Sequence, residues 1–515
     1  MRSILIAVPF VFLAAPVGAQ QPDDINRVID QGLNHSQVMQ TAEHLMDQIG
    51  PRMTNSPQMR QAEAWTQQQF KTIVSSSVRM TTPRIIQLTA MPVAWTPGTG
   101  AAVTAPIIVA PMKRERDFEA WRGKLAGKIV LITLPNDGSE PGEPPFKRLT
   151  DDEIRKADQY RQPNYDPDAP DRMLKRVAFG AKLDSFLKSE RAVAWARMSY
   201  RDGKLLHGEG YSYRAGETPA VPGIELAAED YRRLARLAKV GPAPTLEVNT
   251  NVQFDDSDVN AYNILAEIPG SDPRAGYVMA GAHLDSWVAG DGAADNGAGS
   301  CVVMEAARIL AAIGVKPRRT IRFALWAGEE QGLLGSMAYV EKYLAARPAP
   351  GANETPAERQ ARWRYRYPIT PQAGHKELVA YFNIDNGSGR VHGFHAEGNV
   401  GAMPLLKEWL QPFASMGAGM VVSTPTGGTD HVYMQAVGIP GYQFIQDPLD
   451  YQSRVHHTSI DTFDHLKAQD MRQASVVLAG VLLQAASSAK TLPRMPLPTK
   501  GTPTNPFKYN DPDEE

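Results

Sequence analysis

Five residues stand out first for their chemistry and spacing: His283, Asp285, Asp295, Glu329 and Glu330. They lie in the stretch Gly281 to Ser336, which reads GAHLDSWVAGDGAADNGAGS, then a helix-like apolar run, then TIRFALWAGEEQGLLGS. One imidazole and several carboxylates suit zinc or another borderline-hard divalent ion, and no thiolate competes for it. The adjacent pair Glu329 and Glu330 adds a second function. If one carboxylate binds a metal, its neighbour is free to act as general base on an activated water. Taken singly, each has a plainer reading: Asp295 as a helix cap, the glutamates as an acidic first turn.

The elements that must position these residues are strands. Tyr277 to Ala280 (YVMA) and Thr320 to Trp326 (TIRFALW) are short apolar or alternating runs, and helix-period sequence lies between them. This is a β-α-β pattern. Parallel strands joined by a crossover helix align their carboxyl ends along one edge, where open α/β sheets bind ligands. A further strand, in ELVAYFNIDNGSG, ends at Asp385, and the block VHHTSIDTFDHL carries His456, His457 and Asp461.

Six blocks occur in one order: HLDSW, GAADNGAG, LWAGEEQGLLGS, FNIDNGSG, GGTDH and HHTSIDT. Together they resemble the secreted zinc aminopeptidase and carboxypeptidase Q family of co-catalytic metallopeptidases, over roughly residues 256 to 490 and more loosely before that. The resemblance implies an α/β fold, a mixed, mostly parallel sheet sandwiched by helices, with a small β-rich protease-associated domain inserted. It also implies two Zn2+ ions per chain, held by His283, Asp295, Glu330, Asp385 and His457. Asp295 would bridge them, with Asp385 on the His283 ion and Glu330 on the His457 ion. Glu329 would be the general base and Asp285 would orient His283. His456 would stabilise the oxyanion, a position some relatives fill with tyrosine. Asp461 would orient the ligand loop, and the loop of Thr429, Asp430 and His431 would line the substrate pocket.

The rest of the chain sets the context. MRSILIAVPFVFLAAPVGAQ reads as a secretory signal peptide over 1–19, giving an exported, periplasmic or secreted protein. The expected domains are a discontinuous catalytic domain, 20–82 and 255–490, the inserted domain, 83–254, and a disordered tail, 491–515. A net charge of -2 provides no polybasic footprint, so nucleic acid and anionic membrane are not indicated as partners. A short peptide substrate is, and a homodimer stays open. Cys301 is the single cysteine, so no internal disulfide forms, and its helical-period neighbours make it a core thiol. His35 and His44 read as surface or packing residues, and His392 and His395 as non-ligands. The segment 136–190 reads as exposed and lid-like, with a helix from Asp151 to Arg161, and 346–375 as a solvated surface insertion. Two other activities would share these residues: a metal amidohydrolase on a non-peptide amide, and a non-catalytic binding ectodomain. The intact Glu329 argues against the second.

Overall fold

The computed structural model of the protein describes residues 22–65, 75–138, 144–159, 166–210, 219–252, 254 and 258–501. The segment read as a signal peptide lies outside them. Two large sheets organise the chain.

The seven-stranded sheet carries the metal-site motifs. Its strands Tyr277–His283, Thr320–Trp326, Leu378–Asn383 and Gly441–Gln446 run parallel, and Ile264–Ile268 closes one edge antiparallel. Val391–His395 runs antiparallel to Gly441–Gln446 and parallel to Met420–Val422 at the other edge. The sheet is therefore mixed and mostly parallel, as the sequence leads one to expect. Both faces are covered, which is why these strands read as near-continuous apolar runs. Val278, Ala280, Ala282, Ile321, Phe323 and Leu325 enter one core, which includes residues of the helices Ala298–Ala312 and Ala468–Ser487. Met279, Ala324 and Trp326 enter the opposite core with Tyr339, Leu344 and Trp363. Side chains alternate because the strand repeat is two residues.

The eight-stranded sheet, drawn from Ser75 to Asn251, is more than a small β unit. Val103–Val109, Ile129–Leu131, Ala194–Met198 and Gly223–Leu226 run parallel, and the helix Ala228–Val240 lends Tyr231 and Leu234 to the core on that sheet. A 21-residue helix, Ala169–Ser189, was not anticipated. Its sequence mixes Lys, Arg and Asp with scattered apolar residues, so the helical period is faint, yet Leu183, Phe186 and Leu187 are buried beside Phe118.

Three sequence expectations need correction. Within 136–190, residues 139–143 and 160–165 lie outside the described set; the described part is largely exposed, as expected, but it is tied to the rest of the chain on both sides of its short helix. Arg148 donates at 2.8 Å to both Asp447 and Asp470, and Asp158 accepts from the Ser423 hydroxyl at 2.7 Å. The short helix there ends at Ala157, not Arg161. In 346–375, Trp363 is buried, edge-on to Tyr433, with the Arg347 guanidinium 4.4 Å above its ring. Aromatic burial and cation–π contact, invisible in a composition, anchor this otherwise surface stretch to the core through Trp363 and Ile369. In the tail, Leu492 is buried and Asn399 donates to the Pro493 carbonyl at 2.7 Å, so order extends past Thr491; residues 502–515 lie outside the described set.

Cys301 is fully buried, and burial pushes its thiol up to about 12. Only the thiolate reacts with disulfide reagents. The folded protein should therefore label at least about 100-fold more slowly than the urea-unfolded chain at pH 8, followed by thiol–disulfide exchange absorbance. Rapid stoichiometric labelling of the folded protein would contradict the packing.

Candidate metal centre

The parallel strands deliver their polar residues to a single edge. His283 is the last residue of Tyr277–His283, Glu329 and Glu330 follow Thr320–Trp326, Asp385 follows Leu378–Asn383, and His456 and His457 lie beyond Gly441–Gln446. Asp295 comes from the turn that enters the helix Ala298–Ala312, and the Asp295–Asn296 peptide is cis. Gly292, at φ +60°, permits that turn; a Cβ there would stand 2.2 Å from the Ser286 side chain.

Asp295 sits between two imidazoles. Its Oδ1 is 3.3 Å from His283 Nε2, and its Oδ2 is 3.2 Å from His457 Nε2. Asp385 Oδ1 lies 3.5 Å from His283 Nε2, while Glu330 Oε2 lies 3.0 Å from His457 Nε2. Two clusters result, sharing Asp295. Glu329 Oε2 stands 3.9 Å from His283 Nε2, close to the first cluster. His456 Nε2 is 3.5 Å from Asp295 Oδ2, and its ring stacks on His457 at 3.8 Å.

The supports are as specific as the cluster. The Asp285 carboxylate accepts the backbone N–H of Glu329 at 3.2 Å and of Glu330 at 3.3 Å, and the Thr54 hydroxyl at 2.7 Å. It is the Asp285 backbone carbonyl that lies 2.9 Å from His283 Nδ1, whereas its carboxylate is 3.6 Å away. The side chain thus fixes the paired glutamates, and the main chain orients the imidazole. Asp461 accepts the N–H groups of Ala294 at 2.6 Å and Asp295 at 3.0 Å. Arg52, fully buried, donates to the carbonyls of Leu284, Leu45, Gly50, Asp291 and Gly292 and ties the His283 loop to the Asp295 turn. A buried arginine serving carbonyls leaves no local pattern, so nothing in the chain marked it.

Electrostatics at this edge are lopsided. Burial drives the Glu329 carboxyl well above its ordinary range, reinforced by Asp385 and Glu330, and takes Glu330 up to about 7. Burial works to raise the Asp295 carboxyl, but the adjacent His283 and His457 imidazoles hold it well below its ordinary range. Burial alone would lower the His457 pKa, but Glu330, Asp295 and Glu209 raise it far above the usual imidazole value; burial takes His456 down to about 4. Asp430 is buried too, and burial moves it up to about 7; Thr429 and His431 beside it are also buried.

These residues fit a pair of divalent ions. His283 Nε2, Asp295 Oδ2 and Glu330 Oε1 are buried without a hydrogen-bond partner among the described residues. Buried polar atoms are seldom left so. Zinc ligands at about 2.1 Å in a tetrahedron stand about 3.4 Å from one another, and the contacts of 3.0 to 3.5 Å match that spacing. Ligand-type atoms of His283, Asp295 and Asp385 converge, as do those of Asp295, His456 and His457.

Comparison with known proteins turns the geometry into a family. The model of peptidase family M28 matches residues 263–482. This part of the chain is an M28 peptidase domain. By that family the chain is a metallopeptidase, a hydrolase. Carboxypeptidase Q of Mus musculus is 24% identical over 470 residues, 87% of this chain and 86% of that protein. Leupeptin-inactivating enzyme 1 of Streptomyces exfoliatus is 40% identical over 123 residues, 24% of this chain and 26% of that one. Among solved structures, a peptidase M28 precursor from Shewanella amazonensis SB2B superposes with a TM-score of 0.61 at 20% identity, covering 93% of this chain and 99% of that one, which speaks to the fold.

The Asp461 contacts generate a test within this M28 domain. Asparagine offers one acceptor and one donor, so in Asp461→Asn either the Ala294 or the Asp295 N–H faces an NH2 group. Zinc affinity by equilibrium dialysis should fall by about 10- to 100-fold. Affinity equal to the parent would show that the Asp295 turn holds its shape alone.

Proposed function

We propose that this M28 protein is an exported exopeptidase that hydrolyses short peptides with two zinc ions. The observation that carries the reading is Asp295, which offers one carboxylate oxygen to each of two imidazole-containing clusters. His283 and Asp385 would hold one ion, His457 and Glu330 the other, and Asp295 would bridge them. Two ions about 3.5 to 4 Å apart need a shared anion between them. Zinc, when bound, supplies Lewis acidity toward a water and toward the scissile carbonyl.

The chain's own groups supply the rest. Glu329 stands beside the His283 cluster without being needed as a ligand, and its backbone is pinned by Asp285. It takes a proton from the attacking water as the carbon–oxygen bond forms. It returns that proton to the amine nitrogen as the carbon–nitrogen bond breaks, leaving the carboxylate ready for another cycle. His456, beside Asp295 Oδ2 and stacked on His457, would face the carbonyl oxygen of a peptide and stabilise the charge that develops there. Export rests on the amino-terminal sequence pattern; among the described residues no helix is long and apolar enough to cross a membrane. Carboxypeptidase Q and leucine aminopeptidase 2 of Trichophyton equinum, both similar to this chain, are named for attack at opposite ends of a peptide.

The test is hydrolysis of free, amino-blocked and carboxyl-blocked dipeptides by the zinc-loaded protein, with Glu329→Gln alongside. Free dipeptides should be cleaved, and blocking a terminus that the enzyme reads should abolish cleavage. Glu329→Gln should keep its zinc and lose about 10²- to 10⁴-fold in kcat. No cleavage of any peptide by the zinc-loaded parent would remove the exopeptidase reading.

A further inference from the structure

The two imidazoles that flank Asp295 are oriented by different parts of the fold. For His283, Nδ1 meets the Asp285 carbonyl, within its own strand end. For His457, Nδ1 meets Glu209 Oε1 at 2.8 Å, and Glu209 lies 248 residues earlier, in the segment that follows the eight-stranded sheet's strand Ala194–Met198. A ring nitrogen held in this way leaves the other, Nε2, aimed at Asp295 and Glu330.

Glu209 arrives as part of a built clamp. The Ser459 N–H donates to the Leu206 carbonyl at 2.8 Å, the Leu206 N–H donates to the Ser459 hydroxyl at 3.3 Å, and Arg201 donates to the His456 carbonyl at 3.1 Å. The segment is itself anchored: the His207 N–H donates to Glu225 at 2.6 Å, the Ala94 N–H donates to the Gly208 carbonyl at 2.7 Å, and the Tyr200 ring stacks on His207 at 3.7 Å. The Tyr200 hydroxyl donates to Glu209 Oε1 at 3.3 Å. Gly208 has φ +66°, a left-handed backbone that favours glycine just before Glu209. His457 also has a left-handed backbone, φ +61°, a conformation that contacts on several sides must maintain.

We infer that Glu209 is a positioning residue for the metal centre, a carboxylate lent by the eight-stranded sheet that fixes the ring of His457 and raises its strength as a ligand. Such outer partners of metal-binding histidines typically contribute about 10- to 100-fold to metal affinity. The inference rests on the two-zinc reading above. It adds that the second sheet belongs to the assembly of the zinc site.

The experiment strips the full-length protein of metal, titrates zinc against a chromophoric chelator, and records the visible spectrum after cobalt loading. The parent should bind two zinc ions. Glu209→Ala should bind one as the parent does and the other about 10- to 100-fold more weakly, with an altered cobalt spectrum and an unchanged melting temperature of the metal-free protein. Two ions bound with parental affinity by Glu209→Ala would overturn the inference and leave the two-zinc reading standing. A parent that takes up fewer than two ions would overturn both. Where Glu209→Ala lowers the metal-free melting temperature, Glu209→Gln decides, since it keeps the shape and the acceptor but loses the charge. A second zinc held several-fold more loosely at unchanged melting temperature is expected, and parental affinity overturns the inference.

Discussion

Everything at the site depends on gathering carboxylates out of water around two imidazoles. Asp295, Glu329, Glu330 and Asp385 are all buried at one sheet edge, and burying an ionised carboxylate without compensation is expensive. The strain is visible in the two glutamates, which burial pushes toward the protonated form, and in Asp295, which stays ionised only through His283 and His457. Two dications would reverse this imbalance, and Glu329 could then stay ionised as a base.

The fold supplies that crowding through parallel strand order. Tyr277–His283, Thr320–Trp326, Leu378–Asn383 and Gly441–Gln446 are neighbours with a common direction, so residues distant in sequence meet where the strands end. The loops are then held by buried hydrogen-bond hubs. Asp285 gathers the backbone of both glutamates, Asp461 gathers the Asp295 turn, and Arg52 gathers the carbonyls between them. Each hub is buried, so its partners have no water to turn to, and a lost contact would be felt at the site.

Much of this was legible because strand ends leave a mark. An apolar run followed at once by His283, by Glu329 and Glu330, or by Asp385 states both the element and its working end, and the mixed, mostly parallel sheet followed from the same pattern. Bounds were less certain: the first strand continues to His283, beyond Ala280, because Gly281 and Ala282 are small but still pair in register with Ala324 and Leu325. What stayed hidden was tertiary. Glu209 and Arg52 act through contacts across 248 and up to 240 positions, and no periodicity encodes a partner so far away. Asp285 was read as orienting His283, and the atom that meets the imidazole is its backbone carbonyl, a distinction only coordinates can make. The helix Ala169–Ser189 and the burial of Trp363 were missed for a related reason: polar composition hid a few apolar contacts that decide where those segments lie.

The most direct measurement of the central claim is anomalous diffraction at the zinc edge from crystals of the zinc-loaded protein. Two peaks about 3.5 to 4 Å apart, one beside His283 and Asp385 and the other beside His457 and Glu330, with Asp295 between them, are the expected result. A single peak, or a pair that Asp295 does not bridge, would contradict the account.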